Sequence, residues 1–318
     1  MKRIAIQGVA GCYHETAARR FFRDETIEVL PCDTFEALFA HLEEDPGLLG
    51  IAAIENTIAG SLLPNHELLR RSRCRIVGEE KLRISHTLAA LPGERLETLR
   101  EVHSHPIALM QCGDFLKRHP HLKAVERDDT AGSACEIARQ RTTGTAAICS
   151  AEAAALYGLV PLARGIETNP HNFTRFLLLA DPSRTDGLPA RPVDKASTVF
   201  TLPHSQGSLS KVLAVLSFYD INLTKIQSLP IVGREWEYRF YVDLSFDDYA
   251  RYRQAIEAAR PLTSDLRILG EYAAGPDPAL RESAATGDTS ATPDGTARSA
   301  AGSGTRTPES EPAKTPLS

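Results

Sequence analysis

The chain has 318 residues, 42% of them hydrophobic and 24% charged, with a formal net charge of −5 and a pI near 6.1. That is ordinary globular composition for about two domains, and neither the charge balance nor any Lys/Arg run provides a footprint for nucleic acid or a membrane surface. No apolar run is long enough to span a bilayer or form a signal-peptide core, and the six cysteines (Cys12, Cys32, Cys74, Cys112, Cys135, Cys149) are widely spaced, so a cytoplasmic protein with reduced thiols is expected.

Through residue 182 short apolar runs alternate with helical patterns. Strands are predicted at 3–7, 50–54, 86–90, 101–103, 146–149 and 176–180, and helices at 14–22, 34–42, 64–71, 106–118, 131–140 and 151–157. This alternation predicts βαβ units and a mostly parallel sheet. The stretch 184–194, with its prolines and glycine, reads as a linker. Residues 195–273 then follow the order βαββαβ, a ferredoxin-like pattern. From 274 to 318 the chain is Ala, Gly, Ser, Thr, Pro and scattered charge, which predicts a disordered tail.

In open α/β sheets ligands bind beyond the carboxyl ends of strands, against helix N-termini. After the first strand "GVAGCYHE" brings Tyr13 and His14, with glycine spacing that does not match a dinucleotide loop. Glu55 and Asn56 follow the second strand. Ser104 and His105 precede Pro106, a favoured first helical residue, while Asp129 or Thr130 and then Ser150 stand at helix-cap positions. Such junctions suit a small polyanion, although any α/β protein caps its helices this way. His103 and His105 lack supporting ligands at metal-binding spacing, so neither metal nor cofactor is expected.

"NFTRFLLLA" is the sharpest feature. A buried guanidinium must be paired, so Arg175 reaches solvent, meets an internal carboxylate, or awaits an anionic ligand. On a regular strand Thr174 and Phe176 face one way and Arg175 the other; a pocket shared by Thr174 and Arg175 requires a strand mouth or crossover.

These blocks resemble the prephenate dehydratases. Thr174-Arg175-Phe176 is similar to the family's signature; "GVAGCYHETAA", "IAAIENTIAGSL", "SHPIALMQC" and "DDTAGSA" resemble its other motifs in order, and 195–272 resembles the ACT regulatory domain. The likeness implies an α/β fold: a two-lobed catalytic domain of the type II periplasmic-binding-protein kind over 1–183, followed by an ACT domain. Lobe 1 would combine 1–78 with 172–183, lobe 2 would hold 79–171, and the site would lie between them, with Arg175 at the cleft.

The implied reaction is conversion of prephenate to phenylpyruvate in phenylalanine biosynthesis, with arogenate as the alternative substrate and a non-catalytic small-anion sensor as the rival class. The resemblance makes Thr174, Arg175 and Phe176 catalytic, Thr174 assisting the leaving hydroxyl and Arg175 binding a carboxylate. Tyr13, Glu55, Asn56, Ser104, His105, Gln111 and Thr130 would bind substrate, Glu55 by holding Arg175 or a backbone amide rather than facing a dianion. Phenylalanine would bind as effector at Gly207, Ser208, Leu209, Asn222, Leu223, Gln227 and Ser228, between ACT domains paired in a homodimer or homotetramer. The sequence departs from the family at Gln227 and Leu229, where a Glu and an Arg are usual; at Cys12 and His14, in place of Thr and Ser; and at Ala53 and Thr57, in place of Pro and Ser.

Overall fold

The first segment alternates strand and helix: β1 (Lys2–Gln7), α1 (Tyr13–Phe21), β2 (Ile27–Cys32), α2 (Phe35–Glu44), β3 (Leu49–Asn56), β4 (Gly60–Ser61), α3 (Leu63–Arg71) and β5 (Arg75–Arg83). This computed structural model describes residues 1–23, 25–185, 188 and 192–276. Local chemistry starts the helices. Thr34 accepts the Ala37 N–H (3.1 Å) to cap α2, and Leu38, Phe39 and Leu42 recur on its buried face.

A second segment holds β6 (Thr87–Ala90), β7 (Glu101–Ser104), α4 (Pro106–Gln111), α5 (Gly113–Arg118), β8 (Lys123–Glu126), α6 (Thr130–Gln140), β9 (Thr145–Cys149), α7 (Ala151–Leu156) and β10 (Val160–Arg164). Asp129 and Ser150 cap α6 and α7. The helix predicted over 106–118 breaks at Cys112. There the backbone leaves helical values (φ −97°, ψ 19°), and Thr168 Oγ1 takes the Asp114 N–H (3.1 Å).

The chain then returns as β11 (Phe173–Ala180) to the first sheet, between β3 and β5 and antiparallel to both. That sheet runs β2-β1-β3-β11-β5, and the second is β10-β6-β9-β7-β8. The result is two α/β lobes joined by two crossings. The expected lobe boundary at 78/79 moves to about residue 84, because Arg75–Arg83 is one strand of the first sheet. The sequence reading missed β5 because Glu79, Glu80 and Lys81 interrupt its apolar pattern; Glu79 and Glu80 are buried. It missed β2, β8 and β10 as well: Pro31 and Pro161 interrupt two of them, and β8 is largely exposed.

The third segment is β12 (Lys195–Thr201), α8 (Ser208–Phe218), β13 (Asn222–Pro230), β14 (Tyr238–Ser245), α9 (Tyr249–Ala259) and β15 (Ser264–Tyr272). Its antiparallel sheet, β13-β14-β12-β15, is ferredoxin-like. One face packs on α8 and α9 through Phe200, Val212, Leu216, Tyr252 and Ile256. From the other face Val199, Tyr241 and Leu269 join Ile54, Ile76, Leu177 and Leu179 in one apolar cluster. Burying such side chains stabilises the docking by about 1.5–3 kcal/mol each.

Gly270 pairs beside Ile76 and makes the two sheets continuous. A Cβ at Gly270 would collide with the Ile76 carbonyl, so the close approach requires glycine. Of the expected tail, 277–318 lies outside the described residues. Its first residues are tied down: the Ala274 N–H donates to Asp194 (2.6 Å) and the Gly275 N–H to Glu79 (2.9 Å).

Candidate active site

A cavity of about 540 Å³ opens between the lobes. Its walls come from the starts of α1 and α2 and from β3 on one side, and from α4 and the Asp128–Thr130 junction on the other. Ile84 and His86 line it from one crossing, and Thr174 and Phe176 from β11, just past the other. Of the predicted residues Tyr13, Asn56, His105, Gln111, Thr130, Thr174 and Phe176 line this cavity. Ser104 does not: it is fully buried and donates to the Ile148 carbonyl (2.6 Å), stitching strands together.

A chain of amides holds Thr174, and its direction is fixed at one end. Asn56 Oδ1 accepts two backbone N–H groups, from Ile58 (3.0 Å) and Ala59 (2.8 Å). The Asn56 Nδ2 group must therefore donate, and it faces Thr174 Oγ1 (3.0 Å), Asn172 Oδ1 (2.8 Å) and the Phe173 carbonyl (3.1 Å). Thr174 thus accepts from the protein, and its own O–H is left to point into the cleft. Asn172 passes the direction on, donating to Gln111 Oε1 (3.0 Å), which faces His86 Nε2 (2.8 Å).

Arg175 is not in the cleft, and the expectation that it sits there to bind substrate is corrected. Strand alternation sends it through the sheet to the face covered by the ferredoxin-like domain. It is 6% exposed and donates to Glu79 (Nε, 2.7 Å), Asp243 (Nη1, 2.5 Å) and Tyr272 (Nη2, 2.9 Å). Lys195 also donates to Glu79 (2.8 Å), and Ser197 to Asp243 (2.5 Å). A bulge opposite Arg175, between Ala53 and Glu55, places Glu55 at 3.6 Å from Arg175 and in an ion pair with Lys225. Burial works against the Arg175 charge, but Tyr272, Asp243 and Glu79 hold it firmly protonated. Burial likewise opposes the Glu79 charge, and Arg175 and Lys195 overcome it, keeping the carboxyl below its ordinary range. Of the three alternatives for a buried arginine, the internal carboxylate is the one realised.

Sequence reasoning passed over His86 as a site residue and did not foresee that Asp33 and Glu36, at the start of α2, share the cavity wall with Asp128 and Asp129, before α6, because the two pairs lie on opposite lobes far apart in sequence. No lysine or arginine is among the described lining residues. His14 Nε2 accepts the Ala53 N–H (3.3 Å), and burial pushes its pKa down to about 3. Burial pushes the Cys12 thiol up to about 12, so it is no thiolate nucleophile. Among the described residues no group of three or more His, Cys, Asp or Glu could hold a metal ion, and no helix could cross a membrane.

The expected effector residues lie on the third segment. Gly207, in a left-handed conformation (φ 75°), precedes Ser208 and Leu209 at the start of α8. Asn222, Leu223, Gln227 and Ser228 lie along β13, an edge strand of the sheet. Their side-chain bonds are local, as in Asn222 to Ser245 (3.3 Å) and Gln227 to the Ser228 carbonyl (3.0 Å).

Fold and cavity together define a two-lobed α/β enzyme with a ferredoxin-like domain docked behind its cleft. Residues 4–184 match the prephenate dehydratase family model. The chain is 41% identical over 289 residues to an arogenate dehydratase/prephenate dehydratase of Arabidopsis thaliana described as chloroplastic, covering 85% of this chain and 68% of that protein. Among solved structures it resembles prephenate dehydratase from Arthrobacter aurescens in complex with L-Phe (TM-score 0.76, 26% identity, 90% of this chain and 98% of that one). It is similar, too, to GqqA, described as a quorum-quenching acylase (TM-score 0.76, 30% identity, 86% of this chain and 99% of that one). The chain belongs to the prephenate dehydratase family, lyases of aromatic amino acid biosynthesis.

Proposed function

We propose that this chain converts prephenate to phenylpyruvate, with the Thr174 O–H as hydrogen-bond donor to the departing ring hydroxyl. One observation carries the reading: the Asn56 amide, committed by two backbone N–H groups, donates to Thr174 Oγ1 and leaves the threonine proton facing the cleft. As the ring carboxylate leaves as carbon dioxide, its bonding electrons make the ring aromatic and expel the hydroxyl, which takes up a proton relayed from solvent water and leaves as water. A threonine is too weak an acid to ionise; a preorganised donor stabilises the charge that develops on the leaving oxygen. Phe176 provides an apolar wall beside it, and Tyr13, His105, Gln111 and Thr130 line the surroundings.

Arogenate is the second reading. It carries an ammonium where prephenate has a keto group, and a wall with Asp33, Glu36, Asp128 and Asp129 but no lysine or arginine favours a ligand of lower negative charge. Phenylalanine is the proposed effector of the ferredoxin-like domain, whose β13 edge is open to pairing with a second copy. Free thiols at all six cysteines fit a reducing compartment such as the cytoplasm.

The test is product formation from each substrate by the purified chain, with and without phenylalanine, alongside Thr174→Ala. Loss of one oriented donor should lower kcat by about 10²–10³-fold. Full activity in Thr174→Ala would remove the hydroxyl from the mechanism; binding without turnover in the unmutated chain would make this a sensor.

A further inference from the structure

A cleft that takes a dicarboxylate needs a positive counterpart, and this one has no lysine or arginine among its described lining residues. The lining groups that can become cations near neutral pH are three imidazoles, His14, His86 and His105. Two are tied off. His14 Nε2 accepts the Ala53 N–H (3.3 Å), and His105 Nδ1 accepts the Ile107 N–H (3.2 Å) as the cap of α4. A proton on either accepting nitrogen would cost that ring its backbone hydrogen bond.

His86 is arranged in the opposite way. The amide chain that starts at Ile58 and Ala59 presents Gln111 Oε1, an acceptor, to His86 Nε2 (2.8 Å). On the other side Tyr13 donates its O–H to the Ser85 carbonyl (2.9 Å), so its phenolic oxygen faces His86 Nδ1 (3.1 Å) as an acceptor. Both ring nitrogens thus look at acceptors, the environment of an imidazolium. The His86 backbone N–H donates to Glu167 Oε2 (2.8 Å), while Glu167 Oε1 is buried without a hydrogen-bond partner, 4.0 Å from Arg83. Tyr13 from α1, Glu167 from the return crossing, Glu152 from α7, Arg83 at the end of β5, and the thiols of Cys112 and Cys149 are the titratable and charged groups on this side among the described residues.

We propose that His86 takes up a proton from solvent when substrate binds, and so becomes the cation that balances one of its carboxylates; this rests on the dehydratase reading above. In the protein alone burial pushes the His86 pKa down, against the opposing effects of Gln111 and Glu167. A bound carboxylate adds the charge that tips the balance, and His86 is therefore a positioning and charge-balancing residue rather than the proton donor to the leaving group.

The experiment is calorimetric titration of Thr174→Ala with prephenate, in buffers of different ionisation enthalpy. At about pH 7.5, uptake of about one proton per site is expected. Adding His86→Gln should abolish the uptake and weaken binding roughly ten- to a hundredfold. In the otherwise unmutated chain the same change should raise KM by that factor and leave kcat within a few-fold. Tyr13→Phe keeps the imidazole but removes the oxygen facing Nδ1, and should cut the uptake too. Should the His86 variant not fold, the ring-nitrogen NMR shifts of His86 in Thr174→Ala decide alone: imidazolium shifts on adding prephenate support the proposal, and neutral ones overturn it. Binding without proton uptake overturns this proposal but not the dehydratase reading. An unmutated chain that turns over neither prephenate nor arogenate overturns both.

Discussion

Thr174 and Arg175 are consecutive residues, yet their side chains enter two interiors of opposite character. Thr174 opens onto a cleft lined near it by neutral groups, where Asn56, Asn172 and Gln111 form a directed chain of amides. Arg175 enters a closed space where Glu79, Asp243, Glu55, Lys195 and Lys225 form one ion cluster between the catalytic sheet and the docked domain. The first region is open to a ligand, and the amides beside Thr174 carry no charge. The second is largely buried, charged and paired within itself. The difference teaches that neighbours in a signature need not share a role. Here one residue faces the chemistry, and the next fastens two domains together.

Removing a partner from the ion cluster should have the largest effect on stability. Glu79→Ala leaves Arg175 and Lys195 buried without their shared carboxylate, and a loss of roughly 3–5 kcal/mol is expected in urea unfolding. Thr174→Ala should leave the same curve nearly unmoved while abolishing most turnover. The reverse pattern, a stable Glu79→Ala protein with impaired substrate binding, would return Arg175 to the cleft and break the comparison. A smaller loss, about 2 kcal/mol, is expected for Gly270→Ala, because its methyl group must displace the Ile76 carbonyl where the two sheets join. Melting measurements would read it, and KM should not change.

The smallest effect sharpens the picture through pH. His66 is buried against Tyr241 beside the ion cluster, and burial, with Lys225 and Arg175 adding to it, lowers its pKa from 6.5 to about 4. The unfolded chain binds a proton there that the folded chain refuses. Its contribution is therefore present above pH 6.5 and is lost as pH falls toward 4. Stability should drop by about 1 kcal/mol between roughly pH 6 and 5 through this residue alone, and His66→Gln should flatten that slope in denaturant titrations. An unchanged slope would mean that the interface opens to water.

Much of the fold was legible because it rests on local rules. Apolar runs marked β1, β3, β9 and β11, and capping residues marked α6 and α7. The βαββαβ order of the third segment could be read from alternation alone. β5 could not, because its charges are accommodated by partners from Arg175, Lys195 and the Gly275 backbone, far away in sequence. Within the site, Thr174, Asn56 and Gln111 could be named from motifs, whereas His86 reads only as the first residue of a predicted strand, with no motif to single it out.

By itself the sequence determined that Thr174 and Arg175 either point in opposite directions, as on a regular strand, or share a pocket at a strand mouth or crossover. It also determined that Arg175 had to reach solvent, meet an internal carboxylate or await an anionic ligand, since a bare buried guanidinium is too costly to keep. Only the tertiary structure decided which face of β11 meets the cleft and which meets the second sheet. That choice depends on what each face packs against, and the residues concerned, Asp243 and Tyr272 on one side and Asn56 on the other, lie 68, 97 and 118 positions from their β11 partners. No local rule reaches that far.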